Sequence, residues 1–236
     1  MDVVGISNIG LIRKKNEDHY LIRKDKGLFA VCDGMGGHKG GEVASRLAVE
    51  VIERNLADTS SDDVVLALNL AIKVANRLIW QKGRENPDWH NMGTTITAAV
   101  IKDNRLIISH IGDSCLFLIR DGLINKLTKD HTLAEQMMKV GLLGANETYS
   151  STYDHILTRA LGVDEEVEID NIETDINHGD IILICSDGLT DMLDREEILE
   201  IIQKYKDDLN GMAKGLLDQA LVRGGHDNIT VILVRI

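Results

Sequence analysis

Three apolar runs in this chain end on an aspartate beside a glycine. Residues 28–32 lead into Asp33-Gly34, residues 181–186 into Asp187-Gly188, and residues 106–111 into Gly112-Asp113. Runs this short suit buried strands better than helices. Each aspartate then stands where a strand leaves the core for a loop. Gly34 lets the backbone turn tightly and leaves its carbonyl free to face a ligand. A fourth acid, Asp227, precedes the last apolar run. Carboxylates gathered at one place repel one another unless hard cations neutralise them. Oxygen donors favour Mg²⁺ or Mn²⁺ over zinc, and the Cys and His residues lack zinc-ligand spacing. Two such ions close together can activate a water and clamp both ends of an in-line phosphoryl displacement. Arg13, upstream beside Glu17 and Asp18, could hold two phosphate oxygens through its planar fork. Hydrolysis of a phosphate monoester is the chemistry these residue types suit.

The elements that must position these groups can be read from periodicity. Residues 3–9 and 19–22 read as strands. Val43, Ala44, Leu47, Ala48 and Val51 mark one helix face. Residues 60–63 read as a capping box for a second helix, whose stripe is Val64, Leu68, Ala71, Ala75 and Leu78. From Thr94 the period shortens, giving strands over 95–100, 105–111 and 115–119. Asp121-Gly122 is a hairpin signal. Thr132 with Glu135 opens a short helix, and Asp194 with Glu197 caps another carrying Ile198, Ile201 and Ile202. A last helix covers about 209–221, and the chain closes on a strand over 229–235. Hairpin-linked strands imply antiparallel sheets, and separate helix pairs imply layers covering their faces. The expected class is α+β: a four-layer α-β-β-α sandwich of two antiparallel sheets flanked by helix pairs.

The 236 residues contain one proline and no linker or low-complexity tract, so one domain over 1–236 is expected. The formal net charge of -12 argues against nucleic acid as a partner. Cys32, Cys115 and Cys185 are widely spaced, lie in apolar runs and read as small core residues. No stretch reaches the ~18 uninterrupted apolar residues of a membrane span, and no leader pattern opens the chain. A cytoplasmic protein without a membrane span is the expectation, with nothing to suggest an obligate oligomer.

The whole pattern resembles the metal-dependent protein serine/threonine phosphatases of the PPM, or type 2C, family in their compact bacterial form. The matching motifs run from end to end: Arg13 with Asn16-Glu17-Asp18, residues 31–38 with Gly41-Glu42, Gly93-Thr94-Thr95, Gly112-Asp113-Ser114, Asp130-His131, residues 157–162, residues 186–189, and residues 227–231. The resemblance implies that Asp33 bridges two ions and that the Gly34 carbonyl ligates one of them. It implies that Asp187 and Asp227 complete the set of one ion, and that Glu17 and Asp18 serve the other, directly or through water. It further implies that Arg13 binds the phosphate, that Asp113 and Asp191 help hold a weaker third ion, and that a flap covers about 141–153. Substrates would be phosphoserine and phosphothreonine proteins, modified by a cognate serine/threonine kinase, and the enzyme would act as a monomer. Two departures stand out. Cys115 follows Gly-Asp-Ser where the family usually has arginine. Met35 stands where many eukaryotic members have the histidine assigned as general acid; His38 and a metal-bound water are the two candidates here. The competing reading is a catalytically inactive regulatory binding module, which would have lost central acids. A cysteine-dependent phosphatase is disfavoured because acidic loops follow Cys32 and Cys185.

Overall fold

Side chains alternate between two faces along every central strand, and the two faces have different partners. The computed structural model describes residues 1–36, 40–56, 63–141 and 153–236. Its elements in order are β1 (Asp2–Asn8), β2 (Asp18–Arg23), β3 (Leu28–Met35), α1 (Gly40–Leu56), α2 (Val64–Glu85), β4 (Gly93–Thr94), β5 (Ile96–Lys102), β6 (Arg105–Ile111), β7 (Cys115–Arg120), β8 (Leu123–Lys126), α3 (Leu133–Lys139), β9 (Asp170–Asp175), β10 (Ile181–Cys185), α4 (Asp187–Thr190), α5 (Arg195–Tyr205), α6 (Leu209–Val222) and β11 (Ile229–Arg235). One sheet runs β1-β11-β10-β7-β8. The other runs β2-β3-β5-β6-β9, with β4 added against β3. All these pairings are antiparallel.

Three apolar clusters define four layers, as expected. On β3, Leu28, Ala30 and Cys32 pack with Ala44, Ala48 and Ile52 of α1 and with Leu68 and Ile72 of α2. Phe29 and Val31 turn the other way and meet Leu116, Ile182, Ile184 and Ile232 between the sheets. The opposite faces of β7 and β10 (Phe117, Leu183, Cys185) meet Ile198 and Ile202 of α5 and Leu216 of α6. All three cysteines are buried in these layers.

The local signals explain most boundaries. Asp63 caps α2 by accepting the Leu66 N–H at 2.9 Å, and residues 60–62 lie outside the described residues. At Asp194 the capping box is complete, with Glu197 reaching back. Thr132 caps α3 through the Glu135 N–H (3.3 Å), but the Glu135 carboxylate bonds Lys129 instead. Asp121 and Gly122 both have positive φ, as a tight hairpin turn requires. Strand β9 is the main element the periodicity misses. Its sequence DNIETD is an edge strand with one strongly apolar residue, and cross-strand pairing to β6 is what holds it. Helix α2 is long and apolar enough to cross a bilayer by length and composition; here its buried face lies on α1 and the sheet.

Candidate active site

At one end of the sandwich the layer between the sheets changes from apolar to polar. On β3 the series Phe29, Val31 continues to Asp33. On β2 the residue facing Asp33 in register is Asp18. Beyond Ile182 and Ile184 comes Ser186, and beyond Ile232 comes Thr230. The strand alternation that builds the core thus delivers carboxylates and hydroxyls at its rim.

Each acid is clamped by its surroundings. The Asp33 N–H donates to Thr95 Oγ1 (2.9 Å), and its carbonyl accepts the Thr94 hydroxyl (2.8 Å) and the Thr95 N–H (2.9 Å). Gly34 must lack a side chain: a Cβ there would lie 2.2 Å from the Gly41 carbonyl oxygen at the start of α1. Asp18 is buried, and its Oδ2 accepts the Ser186 hydroxyl at 2.7 Å. Ser186 Oγ in turn accepts the Thr230 N–H at 3.0 Å. Asp113 follows Gly112, whose φ of 105° suits glycine and whose N–H and carbonyl are both held by His131. Asp187 opens α4, and Gly188 behind it abuts the Asn228 carbonyl. Asn228 ties the pieces together: its side chain accepts the Glu17 N–H (2.7 Å) and donates to the carbonyls of Ile9 and Lys15 (2.9 Å each).

The result is an open cleft of about 1050 Å³ lined by Arg13, Glu17, Asp33, Gly34, Asp113, Asp187, Asp191 and Asp227, with Asp154, His155 and His226 also on its wall. Asp18 sits just below this lining. His155, Asp187 and Asp191 present ligand atoms within 4.8 Å of one another. Of the candidate site residues named from the sequence, His38 lies outside the described residues, as does the expected flap at 141–153 apart from its two ends. Asp154 and His155 were not singled out, because two polar residues in an irregular segment carry no spacing signal.

The electrostatics are those of crowded acids with little counter-charge among them. Burial, reinforced by Asp18, Asp187 and Asp113, holds the Asp33 carboxyl well above the usual carboxylate range. Asp113 is raised by burial and by Asp187 and Asp130. Asp187 is raised by burial and by Asp227. Asp18 is pushed up to about 7 by burial, with Asp187 and Asp227 adding to the rise and the Thr230 and Ser186 hydroxyls opposing it. Asp191 is likewise pushed up to about 7, by burial first and Asp187 next. Two buried carboxylate oxygens, Asp18 Oδ1 and Asp187 Oδ1, have no hydrogen-bond partner among the described residues. Buried carboxylate oxygens are costly in that state, and a hard divalent cation would satisfy them. The donor set therefore fits Mn²⁺ or Mg²⁺.

Arg13 stands at the cleft mouth, half-exposed, with Nη2 2.5 Å from Asp227 Oδ2. Partial burial works against its charge, but Asp227, Asp33 and Asp187 more than offset that and raise its pKa. Its fork is thus aimed by a carboxylate 214 residues away. Beside Cys115 the cation comes from a neighbouring strand. Lys126 reaches from β8 to both oxygens of Asp130 (2.7 and 2.6 Å), beside the Cys115 thiol, whose sulfur is 3.9 Å from Asp130 Oδ1. A lysine on the neighbouring strand supplies the cation for Asp130. His110 and His131 are buried, while His226 lines the cleft.

Comparison with known proteins shows the family. The family model described as protein phosphatase 2C matches residues 13–223. The serine/threonine phosphatase Stp of Listeria monocytogenes serotype 4b is 34% identical over 232 residues, 95% of this chain and 92% of that protein. The crystal structure of the Mycobacterium tuberculosis serine/threonine phosphatase PstP/Ppp superposes with a TM-score of 0.92 at 36% identity, covering 100% of this chain and 98% of that one. The catalytic domain of PstP in complex with two manganese ions superposes at 0.88 with 36% identity, over 98% and 96% of the two chains. The chain belongs to the protein phosphatase 2C family.

Proposed function

We propose that this chain hydrolyses phosphoserine and phosphothreonine monoesters on proteins, using two divalent ions, Mn²⁺ or Mg²⁺, with a weaker third. The observation that carries this reading is the convergence of Glu17, Asp33, Asp113, Asp187, Asp191 and Asp227 on one cleft, with Asp18 buried in register opposite Asp33 and two buried carboxylate oxygens that have no partner among the described residues. Asp33 would be shared between the two principal ions. Asp187, Asp227 and the Gly34 carbonyl would hold one of them, and Glu17 and Asp18 would serve the other, directly or through water. Asp113 and Asp191 would help hold the third. Bound there, the ions supply Lewis acidity toward water and the phosphoryl oxygens. Arg13 binds and orients the phosphate at the mouth, and the Asp227 contact keeps its guanidinium directed there. His38 is one candidate for proton donation to the leaving alkoxide.

The reading treats residues 1–236 as one catalytic unit, with a flap at about 141–153. It extends to phosphoproteins made by a serine/threonine kinase of the same cell, a cytoplasmic location and a monomeric state. The names of the relatives support the substrate class. The net charge of -12 disfavours nucleic acid. An inactive binding module is disfavoured because none of the central acids is missing. The test is phosphate release from a phosphothreonine peptide with Mn²⁺, after EDTA, and after Mn²⁺ is restored. Release that follows the metal supports the reading. Release that survives thorough chelation, or no release from folded, Mn²⁺-loaded protein, refutes it.

A further inference from the structure

Large apolar side chains stand in water next to the cleft mouth. Leu11 is 63% exposed, Ile12 66% and Val222 78%. Leu11 comes from one end of the chain and meets the half-buried Leu221 from the other at Gly225; Ile12 and Val222 are their chain neighbours. The Leu11 N–H donates to the Gly225 carbonyl at 2.7 Å. The Leu11 and Leu221 side chains flank Gly225, each within 3.3 Å of where a Cβ would stand there. On both strands of chain this patch leads straight into the cleft: Arg13 follows Ile12, and His226 and Asp227 follow Gly225. Single exposed apolar residues are ordinary, but a cluster continuous with a binding cleft marks a contact surface.

We propose that this patch selects substrates, seating an apolar side chain within two or three residues of the phosphorylated residue. The inference rests on the phosphatase reading. Its occupant follows from position. A phosphate held by Arg13 fixes the substrate backbone at the mouth, and an extended chain advances about 3.3 Å per residue. A substrate chain that leaves the mouth on the Ile12 side of Arg13 therefore brings its flanking residues over Leu11 and Ile12. Contact with these residues rewards leucine or isoleucine over serine. Small phosphate esters have no flanking residues and bypass the patch.

The test compares kcat/KM for phosphothreonine peptides carrying leucine or serine at the flanking positions, with p-nitrophenyl phosphate as the flank-free control. Mn²⁺-loaded wild type is set against Ile12→Ser and Leu11→Ser. Wild type should prefer the leucine peptide by about tenfold, a ratio set by burial of one apolar side chain. In each variant that preference should fall to about threefold or less, while turnover of p-nitrophenyl phosphate stays unchanged. Equal rates for the two peptides in wild type overturn the inference and leave the phosphatase reading intact. So does a preference that persists in both variants. Wild type that hydrolyses neither peptides nor p-nitrophenyl phosphate overturns the phosphatase reading, and the inference with it.

Discussion

Replacing Ser186 by alanine should loosen metal binding without touching any of the carboxylates in the cleft. Ser186 is fully buried, donates to Asp18 Oδ2 at 2.7 Å and accepts the Thr230 N–H at 3.0 Å. Asp18 is already pushed up to about 7 by burial and by Asp187 and Asp227, and the Ser186 hydroxyl is one of two groups that oppose the rise. Without it, the metal must compete with a more tightly held proton. A hydrogen bond to a charged group is worth about 1.5–3 kcal/mol. If that support acts on the ionised form, Mn²⁺ affinity near neutral pH should fall by about 10- to 150-fold. The Thr230 N–H is orphaned in the same variant, at a cost of about 1–3 kcal/mol. For a chain of this size that should lower Tm by several degrees, at about 2–4 °C per kcal/mol. Isothermal titration with Mn²⁺ and thermal melts in EDTA separate the two effects. A lower Tm with unchanged Mn²⁺ affinity would show that the Asp18 charge is not part of the metal site, and the reasoning would fail.

Two other perturbations check separate parts of the account. Arg13→Ala should raise KM for p-nitrophenyl phosphate by about tenfold, from loss of a charge-assisted contact, with a smaller change in kcat; an unchanged KM would count against phosphate binding. His110 is buried, its Nε2 3.1 Å from the Lys129 carbonyl oxygen, and burial lowers its pKa to about 3, with His131 adding to the effect. Its folded pKa lies below the unfolded value of about 6.5, so the neutral ring contributes stability above pH 6.5 that is lost as pH falls toward 3. At pH 5 the loss is about 2 kcal/mol, to be read from urea unfolding of wild type and His110→Gln at pH 7 and pH 5. The variant should lose less stability than wild type between the two pH values. Equal losses would show that His110 does not titrate as its burial implies.

Much of this molecule is legible locally because its core strands alternate strictly and its turns carry their own chemistry. Asp33, Asp113, Asp187 and Asp227 could be picked out because each interrupts an apolar pattern at a strand boundary. Their convergence could not be read from periodicity. It depends on register, such as Asp18 opposite Asp33, and on pairing of β1 with β11 across the whole chain. Long-range partners were similarly hidden. Nothing local links Arg13 to Asp227, or Lys126 to the surroundings of Cys115. Ser186 was visible as part of a motif, but its hydroxyl under Asp18 belongs to the packing of two sheets. Strand β9 was missed because edge strands need little apolar content once a neighbour supplies hydrogen bonds.

Counting Mn²⁺ bound per chain in wild type and in Asp33→Asn tests the central claim most directly. The account expects wild type to retain two ions after gel filtration at neutral pH. It expects Asp33→Asn, still folded by circular dichroism, to retain at most one and to lose phosphatase activity. Two tightly held ions in the variant would contradict it, because the carboxylate at the centre of the cluster would then not be what joins them.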